Sequence, residues 1–174
     1  SATALLSWML LDVINDKKTT LVGASTGLVL GLVAITPGAG FVPIWSSFII
    51  GALVSPICYY GVILVKKIIK IDDALDAFGC HGIGGIWGGI ATGIFGKSSI
   101  NSVAKWDGLV FGDWRLFAEG IAITILIAVV GTLICAGIVR IFTPLRVTLR
   151  EEQIGLDITQ HGESAYPTFN GMDQ

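Results

Sequence analysis

Charge is what this sequence has least of. Only 14% of its 174 residues are charged, against roughly 25% in an average soluble domain. Eleven Lys and Arg against thirteen Asp and Glu leave a net charge of −2, so the chain has no basic footprint for nucleic-acid phosphate. Cysteine is scarce too. Cys58, Cys80 and Cys135 each fall inside an apolar run and form no CxxC pair, which argues against a disulfide framework or a zinc site and reads them as small buried hydrophobes. There are two histidines, His81 and His161, and neither belongs to an HExxH metal motif or follows a strand-borne serine elbow. An enzyme is therefore not expected, and neither is a cofactor.

What fills the chain instead is apolar and small. Hydrophobic residues make up 53% of it, and the mean hydropathy is clearly positive. Glycine occupies 23 of 174 positions, well above the usual ~7%, with no collagen-like period. Glycine is common in membrane helices because it lets them approach closely. The fold class expected is an all-α polytopic membrane protein.

A spanning helix needs about 20 mostly apolar residues. Four segments qualify: Leu21 to Val42, Pro43 to Val65, Ala74 to Phe95 and Leu116 to Phe142. The segment Ser1 to Ile14 is apolar but reaches only about 21 Å at 1.5 Å per residue, short of the ~30 Å core. It has the character of a truncated span, followed rather than preceded by its basic residues, Lys17 and Lys18. Five alternating spans put eight basic residues on one side (Lys17, Lys18, Lys66, Lys67, Lys70, Arg140, Arg146 and Arg150) and three on the other (Lys97, Lys105 and Arg115). By the positive-inside rule the C-terminus is cytoplasmic and the loop Gly96–Arg115 external, with little regular structure. The expected division is a transmembrane domain over 1–145 and a polar tail over 146–174. Leu149, Ile154, Leu156, Ile158 and Tyr166 give the tail an apolar side suited to docking.

The residues with chemistry concentrate at the start of the third full span. Asp72, Asp73 and Asp76 fall in its expected first turns, where carboxylates cap N–H groups and meet the positive end of the helix dipole. His81 follows nine residues after Asp72, about 13 Å along a regular helix and hence near the bilayer midplane. An ionisable residue at that depth faces a bundle interior or a water-accessible path, and a neutral imidazole offers one donor and one acceptor there. The bland alternative is a histidine satisfied by a neighbouring helix. Gly85, Gly89 and Gly93 follow His81 at four-residue steps, and Gly23, Gly27 and Gly31 repeat the pattern in the first full span beside Ser25. Helix packing accounts for such stripes. Trp87 is expected in the core, Glu119 at the dipole-favoured start of the last span, and Thr36-Pro37 where backbone carbonyls are freed.

These motifs carry a resemblance. Asp72-Asp73-x-x-Asp76-x-x-Gly79-x-His81-Gly82-x-x-Gly85 resembles the opening of the tenth helix of the ammonium transporters, the Amt branch of the Amt/Mep/Rh family. Leu32-Val-Ala-Ile-Thr36-Pro37 with Gly40 is similar to that family's eighth helix. Gly155-Leu-Asp157-x-x-x-His161-Gly162-Glu163-x-Ala165-Tyr166 is similar to its cytoplasmic tail. The resemblance covers essentially the whole chain in order. It implies the C-terminal portion, helices seven to eleven plus the tail, of an eleven-helix inverted-repeat fold.

The resemblance also implies function. The family forms homotrimers with one apolar conduit per subunit for ammonium or ammonia, and methylammonium is a related substrate. His81 matches the second of two pore histidines, the first lying on an earlier helix absent from this sequence. Asp76 and the adjacent Ala77 match the inner end of the conducting path, and Ser25 and Asp73 its inner vestibule. Gly155, Asp157, His161 and Tyr166 match the regulatory tail, which implies a PII-type signalling partner at the cytoplasmic face of a plasma or inner membrane. The expected function is ammonium transport. The alternative is a membrane ammonium sensor with an Amt-like core.

Overall fold

The structure, a computed structural model, describes residues 1–68, 70, 73, 75–163. It comprises two compact units, Ser1–Ile125 and Leu126–Gln174. Among the described residues all regular structure is helical.

In the first unit, α1 (Ala2–Asp16), α2 (Leu21–Ile35), α3 (Ile44–Ile68) and α4 (Gly84–Phe95) run up, down, up, down. Their close approaches show the directions. Positions 23, 27 and 31 of α2 meet Asp12, Trp8 and Ser1 of α1 in reverse order. The same α1 face meets α3 in forward order, through Thr3 beside Gly51 and Trp8 edge-on to Tyr59. The small core consists of Ala4, Leu30, Ala34, Ile50, Val54, Cys58 and Ala91. Trp87 packs on it and donates its indole N–H to the Ile50 carbonyl at 3.1 Å, as expected of a core tryptophan.

Glycine makes this packing possible. A Cβ at Gly27 would stand 2.6 Å from the Trp8 Cβ, and one at Gly88 would stand 2.6 Å from the Ala34 carbonyl oxygen. The stripe on α2 is therefore a helix-packing seam. Serine closes the remaining gap. Pro56 lies inside α3 and cannot donate to the carbonyl of Ala52 four residues earlier. The Ser7 hydroxyl of α1 donates to that carbonyl at 2.8 Å, and Ser55 donates to the Ala4 carbonyl at 2.7 Å.

The α1–α2 turn is tied by Asp12, which is only 5% exposed. Its carboxylate accepts the Thr20 N–H at 3.2 Å, and the Thr20 hydroxyl caps α2 by accepting the Gly23 N–H at 2.9 Å. After α2 the chain tightens into a 3₁₀ turn, Thr36–Gly38, at the expected Pro37 break. The loop after α4 holds one 3₁₀ turn, Leu109–Phe111, yet it is firmly tied. Asp107 accepts the N–H and hydroxyl of Ser98, each at 2.7 Å, and the Arg115 guanidinium lies 3.6 Å over the Trp106 ring.

Three helical stretches are long and apolar enough to cross a membrane by length and composition: Leu21–Gly38, Ile44–Ile68 and α5 (Arg115–Phe142). The division between the units falls inside α5, which contains no buried residue. Cys135 is exposed there and Cys80 is half-buried, so of the three cysteines expected to be buried only Cys58 is. In the second unit Thr148 and Glu151 form a capping box at the start of α6 (Leu149–Ile154), and a π-helical turn, Asp157–His161, follows.

Candidate functional site

The entry to α4 departs from the regular span expected over Ala74 to Phe95. Asp73, Leu75 and Asp76 are non-helical, and regular structure begins at Ala77 with a π-helical segment, Phe78–Ile83, that leads into α4. Two local causes set this start. The Asp73 carboxylate accepts the N–H of Ala77 through Oδ1 and of Phe78 through Oδ2, both at 2.8 Å, and so acts as the cap. Asp76 has φ +54°, a left-handed conformation that cannot continue a right-handed helix. Asp76 is thus not a residue of the first helical turn. Its carboxylate pairs with Lys66 Nζ at 2.6 Å, tying the C-terminal end of α3 to the α4 entry. Asp72 lies outside the described residues.

The later start also changes the position of His81. Its depth cannot be counted along a regular helix from Asp72, because helical rise begins only at Ala77, about 6 Å before it. His81 sits in the π-helical segment with its side chain exposed. Cys80 and Gly84 turn the other way, into the bundle. A Cβ on Gly84 would touch Leu30, Val33 and Cys58 at ordinary distances. On the His81 side, a Cβ at Gly85 or Gly89 would meet nothing within 4 Å. The expected single stripe is therefore covered along only part of its length. Gly85 and Gly89 lie uncovered in line with His81, whereas Gly93 packs against Phe117.

Ser25 is exposed on α2. The letters Gly23-Ala24-Ser25-Thr26-Gly27 match a nucleophile elbow, but they run through an unbroken helix, so the strand-to-helix turn that presents such a serine is absent. Sequence reasoning missed the Lys66–Asp76 pair, since nothing in a ten-residue separation across a turn marks two side chains as partners.

In the second unit Gly155 has φ +108°, a value open to glycine, and its carbonyl accepts the Thr159 hydroxyl at 2.9 Å. Asp157 opens the π-helical turn, and its carbonyl accepts the Glu163 N–H at 2.9 Å. His161 ends that turn, exposed. Tyr166 lies outside the described residues. Among the described residues no group of three or more His, Cys, Asp or Glu is placed to hold a metal.

Comparison with known proteins gives this geometry a context. The family model described as Ammonium Transporter Family matches residues 1–166. An ammonium transporter of Bacillus subtilis is 48% identical over 169 residues, covering 95% of this chain and 42% of that protein. Ammonium transporter Amt1 of Archaeoglobus fulgidus is 41% identical over 170 residues, again 95% of this chain and 42% of that protein. The crystal structure of Candida albicans Mep2 superposes with a TM-score of 0.71 at 33% identity, over 95% of this chain and 38% of that one. The chain thus spans about two fifths of the length of the relatives it matches. With matched residues running from the first position to 166 and the same helical arrangement in Mep2, the chain belongs to the ammonium transporter family.

Proposed function

We propose that this chain supplies one wall of an ammonium-conducting path, together with a regulatory tail, in a membrane transporter rather than an enzyme. The observation that carries the reading is the uncovered face of α4, where His81 is exposed and Gly85 and Gly89 leave backbone with no side chain over it. A histidine beside bare glycines gives a small polar molecule one donor–acceptor ring along an otherwise apolar surface. Ala77 and Asp76 form the inner mouth, and Ser25 and Asp73 the adjoining vestibule. The substrate is ammonium or ammonia, with methylammonium as a close analogue, and the assembly is a homotrimer.

On this reading residues 1–145 are the transmembrane domain and 146–174 the cytoplasmic tail. Gly155, Asp157, His161 and Tyr166 engage the regulatory contacts, including a PII-type protein at the cytoplasmic face of a plasma or inner membrane. The turn built on Gly155 and Asp157 supports a folded rather than an extended tail.

The test is His81→Ala in the full-length transporter, with methylammonium uptake and ammonium-evoked current as readouts. Loss of one hydrogen-bonding group worth about 1.4 kcal/mol slows passage about tenfold. Selectivity against potassium should fall with it. Unchanged uptake together with unchanged selectivity refutes the role of His81.

A further inference from the structure

Among the described residues Asp12 is the one buried acidic side chain, and the transport reading gives it no part. Its contacts are neutral. Both Thr20 donors, the N–H at 3.2 Å and the hydroxyl at 3.4 Å, go to Oδ2, and among the described residues Oδ1 accepts no hydrogen bond. No Lys or Arg among the described residues lies within ion-pair distance of Asp12, whereas Lys66 matches Asp76. Both carboxylates line a cavity of about 360 Å³ inside the first unit, and Trp8 and Tyr59, edge-on to each other at 5.3 Å, form part of its wall. One water needs only about 10–15 Å³ of such space, so a small hydrated ion fits.

We propose that this cavity is a holding site for one ammonium or methylammonium ion, with Asp12 as its anionic anchor. The inference rests on the reading that Asp76 stands at the mouth of the conducting path, which gives the ion its way in. A buried carboxylate is costly unless a positive charge stands against it. Thr20 supplies hydrogen bonds but no charge, so the compensating cation comes from the cavity. The lining selects its class. A divalent metal wants several oxygen or nitrogen ligands, and among the described residues no group of three metal-binding side chains exists. An ammonium N–H donates to the unpartnered Oδ1, and the charge is attracted to the rings of Trp8 and Tyr59. Potassium donates no hydrogen bond and gains less from one oxygen. An ion at the Asp76 mouth thus has an anionic stop beside it.

The experiment uses the full-length transporter in detergent and radiolabelled methylammonium in equilibrium dialysis, with potassium as competitor and uptake measured in parallel. The native protein is expected to bind one more methylammonium per subunit than Asp12→Asn, which keeps the shape and an acceptor for Thr20. Equimolar potassium should not displace that ion. Asp12→Glu, which keeps the charge and has the cavity to extend into, should bind within about threefold of native, and Tyr59→Leu, which removes one ring, about fivefold more weakly. If Asp12→Asn fails to reach the membrane, Tyr59→Leu decides alone, because Tyr59 is only half-buried. Equal binding by native and Asp12→Asn, loss of binding in Asp12→Glu, displacement by equimolar potassium, or native affinity in Tyr59→Leu overturns the proposal. Methylammonium held at Asp12 by a protein that carries none across the membrane would refute the transport reading alone. Normal uptake without Asp12-dependent binding would refute this inference alone.

Discussion

Three glycines on α4 allow packing and conduction to be separated with one type of substitution. At Gly88 an added methyl group would stand 2.6 Å from the Ala34 carbonyl oxygen and 3.1 Å from its Cα. Both neighbours are backbone, so neither can rotate away. Ordinary contact begins near 3.4 Å, and relief therefore requires α2 and α4 to separate by about 0.8 Å along a seam that also holds Leu30, Ala34 and Ala91. Overpacking of this kind costs about 1–3 kcal/mol, and an unyielding backbone opponent puts Gly88→Ala at the upper end. Alanine's better helix propensity returns about 1 kcal/mol, leaving a net loss of about 2 kcal/mol.

Gly85 and Gly89 differ, because a methyl group at either meets nothing within 4 Å. Gly85→Ala and Gly89→Ala should match or slightly exceed native stability, about 2–3 kcal/mol above Gly88→Ala. If their face lines the path, they should also reduce methylammonium uptake by narrowing it. The assay is thermal unfolding in detergent monitored by size-exclusion fluorescence, paired with uptake in vesicles for all three variants. Equal unfolding midpoints across the set would refute the packing argument. Native uptake in stable Gly85→Ala and Gly89→Ala would refute the conducting face.

Other consequences follow from the same structure. Ser7→Ala removes the donor to the Ala52 carbonyl that Pro56 leaves vacant, and where water is absent this should cost about 1–2 kcal/mol; Ser7→Thr, which keeps a hydroxyl, should recover most of it in the same unfolding assay. In the loop after α4 the Ser98 hydroxyl and N–H hold the Asp107 carboxyl below its usual 3.8, and the Arg115 guanidinium holds down Asp113. Both folded-state values are depressed, so the loop gains stability above the ordinary carboxylate range and loses it as pH falls below that range. Fluorescence of Trp106, which lies under Arg115, should report the transition, and Ser98→Ala should move it to higher pH; an unmoved transition would show that Ser98 does not hold Asp107.

Much of this was legible in the sequence because in a membrane protein hydropathy is the main constraint on each span. Three of the four long runs, the break at Pro37 and the packing of Trp87 on the core follow from composition and turn chemistry alone. The α4 entry was not legible, because three aspartates within five residues can cap a helix in several registers. The choice of Asp73 as cap depends on Asp76 taking a left-handed conformation, and Asp76 is held by Lys66 from another helix. Nor does the four-residue spacing of His81, Gly85, Gly89 and Gly93 show which of the glycines are covered. That depends on where Ala34 and Phe117 arrive, which is a tertiary matter.

The π-helical segment connects these points. Wider turns of this kind are rare within α-helices and concentrate at functional sites. Here one end is fixed by the Asp73 cap and the Lys66–Asp76 pair, and the other runs into a glycine seam that cannot shift without meeting the Ala34 backbone. Between these two anchors His81 lies exposed while the neighbouring Cys80 packs against the core. A small rotation of the segment moves both side chains at once. The orientation of the histidine is therefore set less by its own contacts than by what holds the turn behind it, and if His81 lines the conducting path, Lys66→Ala should lower methylammonium uptake through that turn.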